Sequence, residues 1–212
     1  MKATRGEPPA SAGPKVASIV LAAGRSSRMA PRNKLLELVE GVPIVARVAG
    51  VALASGAHPV IVVTGFEAPR IADALRDLKL TVVHNAAFEE GLSTSLRTGL
   101  RALPADSDGA LILLGDMPEI ASGDLEALMA AFAARGRQSI CVPVRHGRRG
   151  NPVLWGAAHF AEMMTIGGDV GAKQLMALHQ ECVTEVAVES DGIFADVDTA
   201  ADLARLRTRR VP

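Results

Sequence analysis

Apolar and polar positions fall into blocks along this chain. Residues 16–22 (VASIVLA) are apolar or small throughout, with Val and Ile prominent, and predict a strand buried on both faces. Four further runs of this kind follow, at 59–64 (PVIVVT), 80–84, 109–114 (GALILL) and 139–142. Helices are predicted between them: 43–55, with Pro43 at its first turn and Gly56 after its end, then 69–78, 95–103, and 122–135 capped by Ser122. Residues 37–41 read as a turn or hairpin. Strands alternating with helices predict an α/β fold: one domain, three layers, a mostly parallel sheet covered on both faces. Past Pro143 the rhythm changes. A basic turn at 145–150 (RHGRRG) leads to a short strand at 151–155 and a helix from about 157. Glycines at 167–171 break the chain. A helix over 172–179, a half-exposed strand over 183–188, a strand-like stretch over 194–198 and a last helix over 200–207, with Thr199 as its cap, complete it.

At 212 residues one domain is the expectation, preceded by a floppy Pro-, Gly- and Ser-containing lead-in over 1–14, so that the domain spans 15–212. Formal net charge is +0, so bulk electrostatics suggest neither nucleic acid nor a membrane surface, and any cationic site must be local. Cys141 and Cys182 form no Cys-x-x-Cys pair, which argues against zinc or a redox motif and fits a reducing cytoplasm. No apolar run approaches the ~20 residues of a membrane span, and the lead-in lacks the apolar core of a secretory signal.

The first strand empties into a loop with Gly24, Ser26, Ser27, Arg25, Arg28, Arg32 and Lys34. Backbone N–H groups approach a phosphate where side chains are small, and cations neutralise it. The spacing excludes two commoner loops. There is no Gly-Lys-Ser/Thr, and after Gly24 no glycine stands at the dinucleotide-fingerprint offsets.

Other chemistry falls at the ends of later strands, where open α/β sheets bind ligands. Asp116 follows 109–114 in GDMP and is either a turn cap or a ligand for a hard cation such as Mg²⁺. Asp196 and Asp198 (DVDT), with strand spacing, would share one face, so both reach one cation, or one binds and the other caps the last helix. In Glu90–Leu100 (EGLSTSLRTGL), Ser95 either caps a helix or bonds a base or ribose. RRGNPV, with Arg149 and Asn151, lines an acceptor pocket or is a Pro-restricted turn. GDVGAK either takes an acceptor phosphate near Lys173 or starts a helix capped by Asp169. The five histidines show no ligand spacing and read as surface or core residues.

LAAGRSSRM followed by NKLL resembles the signature of the nucleotidyltransferases related to molybdenum cofactor cytidylyltransferases. GDMP, EGLSTSLRTGL, RRGNPV, GDVGAK and DVDT resemble later motifs of that family in the same order, over about 16–206. Ala30 stands where the family usually has Gly, which matters if that position needs a positive φ. The resemblance implies a Rossmann-like nucleotidyltransferase fold. It implies that Arg28 and Lys34, with Arg25 beside them, serve the triphosphate, and that Asp116 and Asp198 hold Mg²⁺. Leu21, Ala22, Ala23 and Gly24 with Ser95 would frame the nucleobase, and Asn85 would be a further nucleotide contact. Ala23, where guanylyl relatives carry Gly, is associated with cytosine. Arg149, Asn151 and Lys173 would take the acceptor.

The activity implied is transfer of CMP from CTP to the terminal phosphate of molybdenum-bearing molybdopterin, with release of pyrophosphate and handover of the product to a molybdoenzyme. A phosphate monoester is already largely dianionic near neutrality, so no general base is required. Two alternatives remain at this point: the same chemistry with GTP or another phosphorylated acceptor, and a cofactor chaperone without catalysis.

Overall fold

The computed structural model describes residues 13–168 and 172–209, and the side chains of Lys173 and Arg209 lie outside the description. Residues 1–12 of the expected lead-in, and Asp169 in GDVGAK, also lie outside the described residues.

The chain begins its sheet at its centre. Strand β1 (Val16–Ala22) pairs in parallel with β4 (Val60–Thr64) on one side and β6 (Gly109–Leu114) on the other. A small antiparallel hairpin, β2 (Leu38–Val39) and β3 (Val42–Pro43), stands apart, as 37–41 predicts. The large sheet is completed by β5 (Thr81–His84), β7 (Ile140–Arg145), β9 (Val153–Gly156) and β10 (Val183–Ala187), in the order β10-β7-β9-β6-β1-β4-β5. The two-residue β8 (Arg148–Arg149) pairs with β7. Within the seven-strand path only β9 runs against its neighbours, so the sheet is mostly parallel.

Helices cover both faces, and β1 shows why every position in it had to be apolar or small. Val20 and Ala22 join a core with residues of α1 (Ile44–Ala54), α2 (Ala68–Leu75), α4 (Ser122–Arg135) and α7 (Ala200–Arg209). Ile19 and Leu21 point the other way, into a second core built from α3 (Leu92–Arg101), α5 (Phe160–Met163), α6 (Lys173–Leu178) and Trp155. Each fully buried Val, Leu or Ile contributes roughly 1.5–3 kcal/mol, so these two cores dominate the stability of the sheet. Among the described residues no helix is long and apolar enough to cross a membrane.

Two local expectations are corrected. The helix expected from Ser95 begins at Leu92, because Gly91, at φ 111°, turns the chain into it there. Ser95 therefore sits inside the helix and not ahead of it. The stretch 194–198 is no strand: a 3₁₀ turn over Asp191–Phe194 gives way to irregular chain up to α7. Strand spacing therefore does not relate Asp196 to Asp198.

Candidate active site

β1, β5 and β6 end at one edge of the sheet, and the chain that follows them builds a cleft of about 450 Å³, within the ~300–1,000 Å³ usual for small-molecule sites. The loop after β1 is closed on itself by two polar side chains. Ser26, in the left-handed region at φ 52°, donates its hydroxyl to Asn33 Oδ1 (3.2 Å) and accepts from the Lys34 N–H (3.2 Å). Asn33 Oδ1 also accepts from Leu35 N–H (3.1 Å), capping a 3₁₀ turn over Lys34–Leu36, and Leu35 is buried beneath it. Lys34 thus starts a capped, anchored turn and its side chain has one way to go. Ala30 adopts φ −50°, ψ 140°, so its methyl costs the loop nothing where the resembled family has glycine.

The opposite wall comes from β6. The N–H of Gly115 donates to the Leu21 carbonyl (2.9 Å), and a Cβ there would lie 2.9 Å from that same oxygen. Glycine lets the end of β6 close on β1 and delivers Asp116 beside the loop. The Asp116 carbonyl in turn accepts from Val197 N–H (2.9 Å), which hangs the irregular 195–199 chain on it and brings in Asp198. Asp202 fixes the exit. Its carboxylate accepts from Thr199 N–H (2.7 Å), while its own N–H donates to Thr199 Oγ1 (3.2 Å), a capping box with Thr199 as the expected cap.

Three chain segments therefore meet at one ammonium. Lys34 Nζ donates to Asp116 Oδ2 (2.6 Å) and to Asp198 Oδ1 (2.8 Å), and Arg28 pairs with the other oxygen of Asp198. Burial opposes the charge on Lys34, whose side chain is 14% exposed, but the two carboxylates outweigh it and hold its pKa above the ordinary lysine value. The hydrogen bond from Lys34, aided by the charges of Lys34 and Arg28, holds Asp198 below the ordinary carboxylate value against a smaller effect of burial. Asp116 Oδ1 is buried without a hydrogen-bond partner. A carboxylate oxygen so placed is a costly feature unless something binds to it.

The other end of the cleft is mostly uncharged, with Glu89, paired to Arg25, on its exposed side. Ser95 lines it, and Asn85 stands behind Ser95, donating to Thr94 Oγ1 (2.8 Å) and Ser95 Oγ (3.0 Å) from a buried position. Asn85 thus orients the wall and is not itself part of the lining. Ala23 lines the cleft, and its methyl packs beside Gly65 and Phe88. Leu21 and Gly24 share the lining, while Ala22 faces the first core. Phe88 and Leu92 add apolar walls that the sequence reading missed, although Leu92 lies within the EGLS stretch it singled out and Phe88 just before it.

The remaining candidates divide. Arg25 lines the cleft but lies 3.4 Å from Glu89, an exposed pair of little energetic weight. Asp196 points into a separate hollow with Glu119 and Arg205, which leaves Asp198 as the carboxylate facing the cleft. Arg149 and Asn151 are not brought to this cleft: Arg149 on β8 pairs with Glu185 of β10 (2.8 Å), and the N–H of Asn151 donates to the Ile193 carbonyl.

Comparisons with known proteins agree with this fold. Residues 18–183 match the family described as the MobA-like NTP transferase domain. A probable molybdenum cofactor guanylyltransferase of Natronomonas pharaonis is 28% identical over 209 residues, covering 90% of this chain and 96% of that one. A nucleotidyl transferase from Methanothermobacter (Mth528) superposes with a TM-score of 0.81 at 25% identity, over 93% of this chain and 98% of that one. Rv0371c of Mycobacterium tuberculosis, in its complex with manganese, gives 0.78 at 26% identity over 93% and 100% of the two chains. The chain also matches bifunctional GlmU proteins, such as that of Leifsonia xyli at 35% identity over 124 residues, 57% of this chain, but it spans only about a quarter of their length.

Proposed function

The chain belongs to the MobA-like NTP transferase family, and from that premise we propose that it transfers CMP from CTP to the terminal phosphate of a molybdopterin-type acceptor, releasing pyrophosphate. The observation that carries the reading is the convergence of Lys34, Asp116 and Asp198, with Arg28 beside them, at one end of the cleft.

An oxygen of the acceptor phosphate attacks the α-phosphorus of the triphosphate, a new P–O bond forms, and the bond to the β-phosphate oxygen breaks. Charge builds on the equatorial and leaving oxygens. Lys34 and Arg28 would meet that charge, Lys34 from a backbone turn that is already capped. Near neutrality the acceptor phosphate is already largely dianionic, so the cleft needs no base. Positioning and charge neutralisation supply the rate.

The residues present fit a hard divalent ion. Asp116 carries a buried carboxylate oxygen with no partner, and Asp198 offers a second carboxylate to the same point. Mg²⁺, which prefers one or two carboxylates plus phosphate oxygens, would be held by these two residues and would neutralise part of the triphosphate charge. The manganese complex of Rv0371c is in keeping with a divalent requirement.

The choice of base rests on the Ala23 methyl lining the cleft. GTP is a second reading, favoured by the near full-length relative named a guanylyltransferase. Pyrophosphate release from the purified chain with Mg²⁺, molybdopterin and each nucleoside triphosphate in turn decides the matter. Release with CTP is expected. Release with GTP alone replaces the base, and no release with any triphosphate leaves a cofactor-binding module without catalysis. The product is a labile cofactor, which suits direct handover to a recipient molybdoenzyme.

A further inference from the structure

Outside the cleft, a second group of ligand-type side chains comes together. His159 closes the 3₁₀ turn over Ala157–His159, Glu162 lies in α5, and His179 follows α6. One ligand atom from each lies within 4.8 Å of the others. Burial grades across the group: His159 is buried, whereas the side chains of His179 and Glu162 are 28% and 41% exposed, so the cluster has a floor and an open side.

The hydrogen bond of His159 has the pattern that a metal-binding imidazole needs. His159 Nε2–H donates to the Gln138 carbonyl (2.9 Å), which leaves Nδ1 as the lone-pair nitrogen of the neutral ring. Trp155 packs edge-on against the same ring and holds its plane. On His179, Nε2 faces Glu162 Oε2 at 2.6 Å, and Nδ1 lies 3.7 Å from Glu181. His159 therefore has a carbonyl outside the cluster, the outer partner that orients a ligating histidine and raises its basicity, while His179 turns its Nε2 to Glu162 within the cluster. The two rings are tilted by 57° at 5.0 Å and do not stack.

We propose that His159, Glu162 and His179 bind a divalent transition ion of the zinc type, tying α5 to the end of α6, with a solvent molecule completing the coordination on the exposed side. Two imidazoles and one carboxylate are a ligand set suited to such ions, at bond lengths of roughly 2.0–2.2 Å. The bound ion takes the place of the proton that now joins His179 Nε2 to Glu162, and the neutral ring then carries its N–H on Nδ1, on the side of Glu181. The donor set also separates this position from the cleft: nitrogen ligands disfavour Mg²⁺, and the cleft offers carboxylate oxygens only.

The test uses the full chain without a histidine tag, stripped with chelator and titrated with Zn²⁺ by calorimetry in the presence of excess Mg²⁺, with Co²⁺ absorption as the spectroscopic check. One tight Zn²⁺ per chain is expected, with a Co²⁺ spectrum showing nitrogen ligation and a rise in Tm on binding. His179→Gln and Glu162→Gln, both partly exposed and so tolerated by the fold, should each weaken binding by more than the roughly 10–100-fold that loss of an outer partner costs. Asp116→Asn should leave Zn²⁺ binding as it is. No tight Zn²⁺ in the parent chain, or the same affinity in both histidine-cluster variants, would overturn the proposal. Loss of Zn²⁺ binding in Asp116→Asn alone would move the ion to the cleft and overturn it equally.

Discussion

The two ends of the cleft are built on different physics. At the phosphate end, Arg28, Lys34, Asp116 and Asp198 come from three distant parts of the chain, all ionisable and all paired with one another. At the base end, Ala23, Asn85, Ser95, Phe88 and Leu92 are neutral, and several are fully buried. The first end holds its charges in mutual balance, and under the proposed function they would exchange internal pairs for a triphosphate and an ion. The second is a fixed mould whose hydrogen bonds are already made. The contrast assigns rate to one end and recognition to the other, and each variant below is chosen to separate or merge them.

The largest effect is expected from Lys34→Met. It removes a fixed cation from the developing charge and should lower kcat by about 10²–10³-fold while leaving the KM for the triphosphate within a few-fold. It also leaves Asp116 without a counter-ion and Asp198 with Arg28 alone, so its Tm at neutral pH should fall and recover on addition of Mg²⁺. A Tm that ignores Mg²⁺ would show that the carboxylates do not share an ion. Ala23→Gly acts at the other end. A methyl in an apolar wall discriminates between substrates by roughly tenfold or more, so the ratio of kcat/KM for CTP to that for GTP should drop by about tenfold with little change in their sum. Asn85→Ala should raise the triphosphate KM by about fivefold, the equivalent of about 1 kcal/mol, because Ser95 loses the amide that orients it. If kcat falls instead, the base end is not separate from the chemistry.

The smallest effect concerns pH. The folded pKa of Asp198 lies below its ordinary value of 3.8, so its contribution to stability is whole above that value and is lost as pH falls through the depressed one. Lys34 works at the other limit. Its folded pKa is raised above 10.5, so its contribution is whole below 10.5 and lost as pH rises through the folded value. Stability due to this cluster is therefore flat between these limits. Asp198→Asn should flatten the acid limb of a Tm-against-pH curve by less than about 1 kcal/mol, since that side chain is 35% exposed and screened by water.

Much of this was legible in the sequence because it follows from local rules. A strand buried on both faces must be apolar or small throughout, so β1 announced itself, and with it the loop carrying Arg28 and Lys34. Asp116 was legible because Gly115 and Pro118 punctuate the end of β6. The choice between Asp196 and Asp198 was not, because it rests on a backbone bond from Val197 to Asp116 across the fold, and strand spacing misdescribes an irregular segment. Asn85 was read as a nucleotide contact, and only the packing of α3 shows it behind Ser95, hydrogen-bonded to Thr94 and Ser95. His159 and Glu162 stand three apart, a helical spacing that puts them on one face, but His179 arrives from the far side of the 166–172 stretch, which no spacing rule connects.

The central claim is that Asp116, through its unpartnered buried oxygen, and Lys34 serve one triphosphate. The direct measurement is pyrophosphate release by Asp116→Ala under saturating CTP, acceptor and Mg²⁺, alongside a circular dichroism spectrum and Tm to confirm the fold. Turnover should vanish while the spectrum is unchanged. Turnover at the parent rate in a folded Asp116→Ala chain would contradict the account.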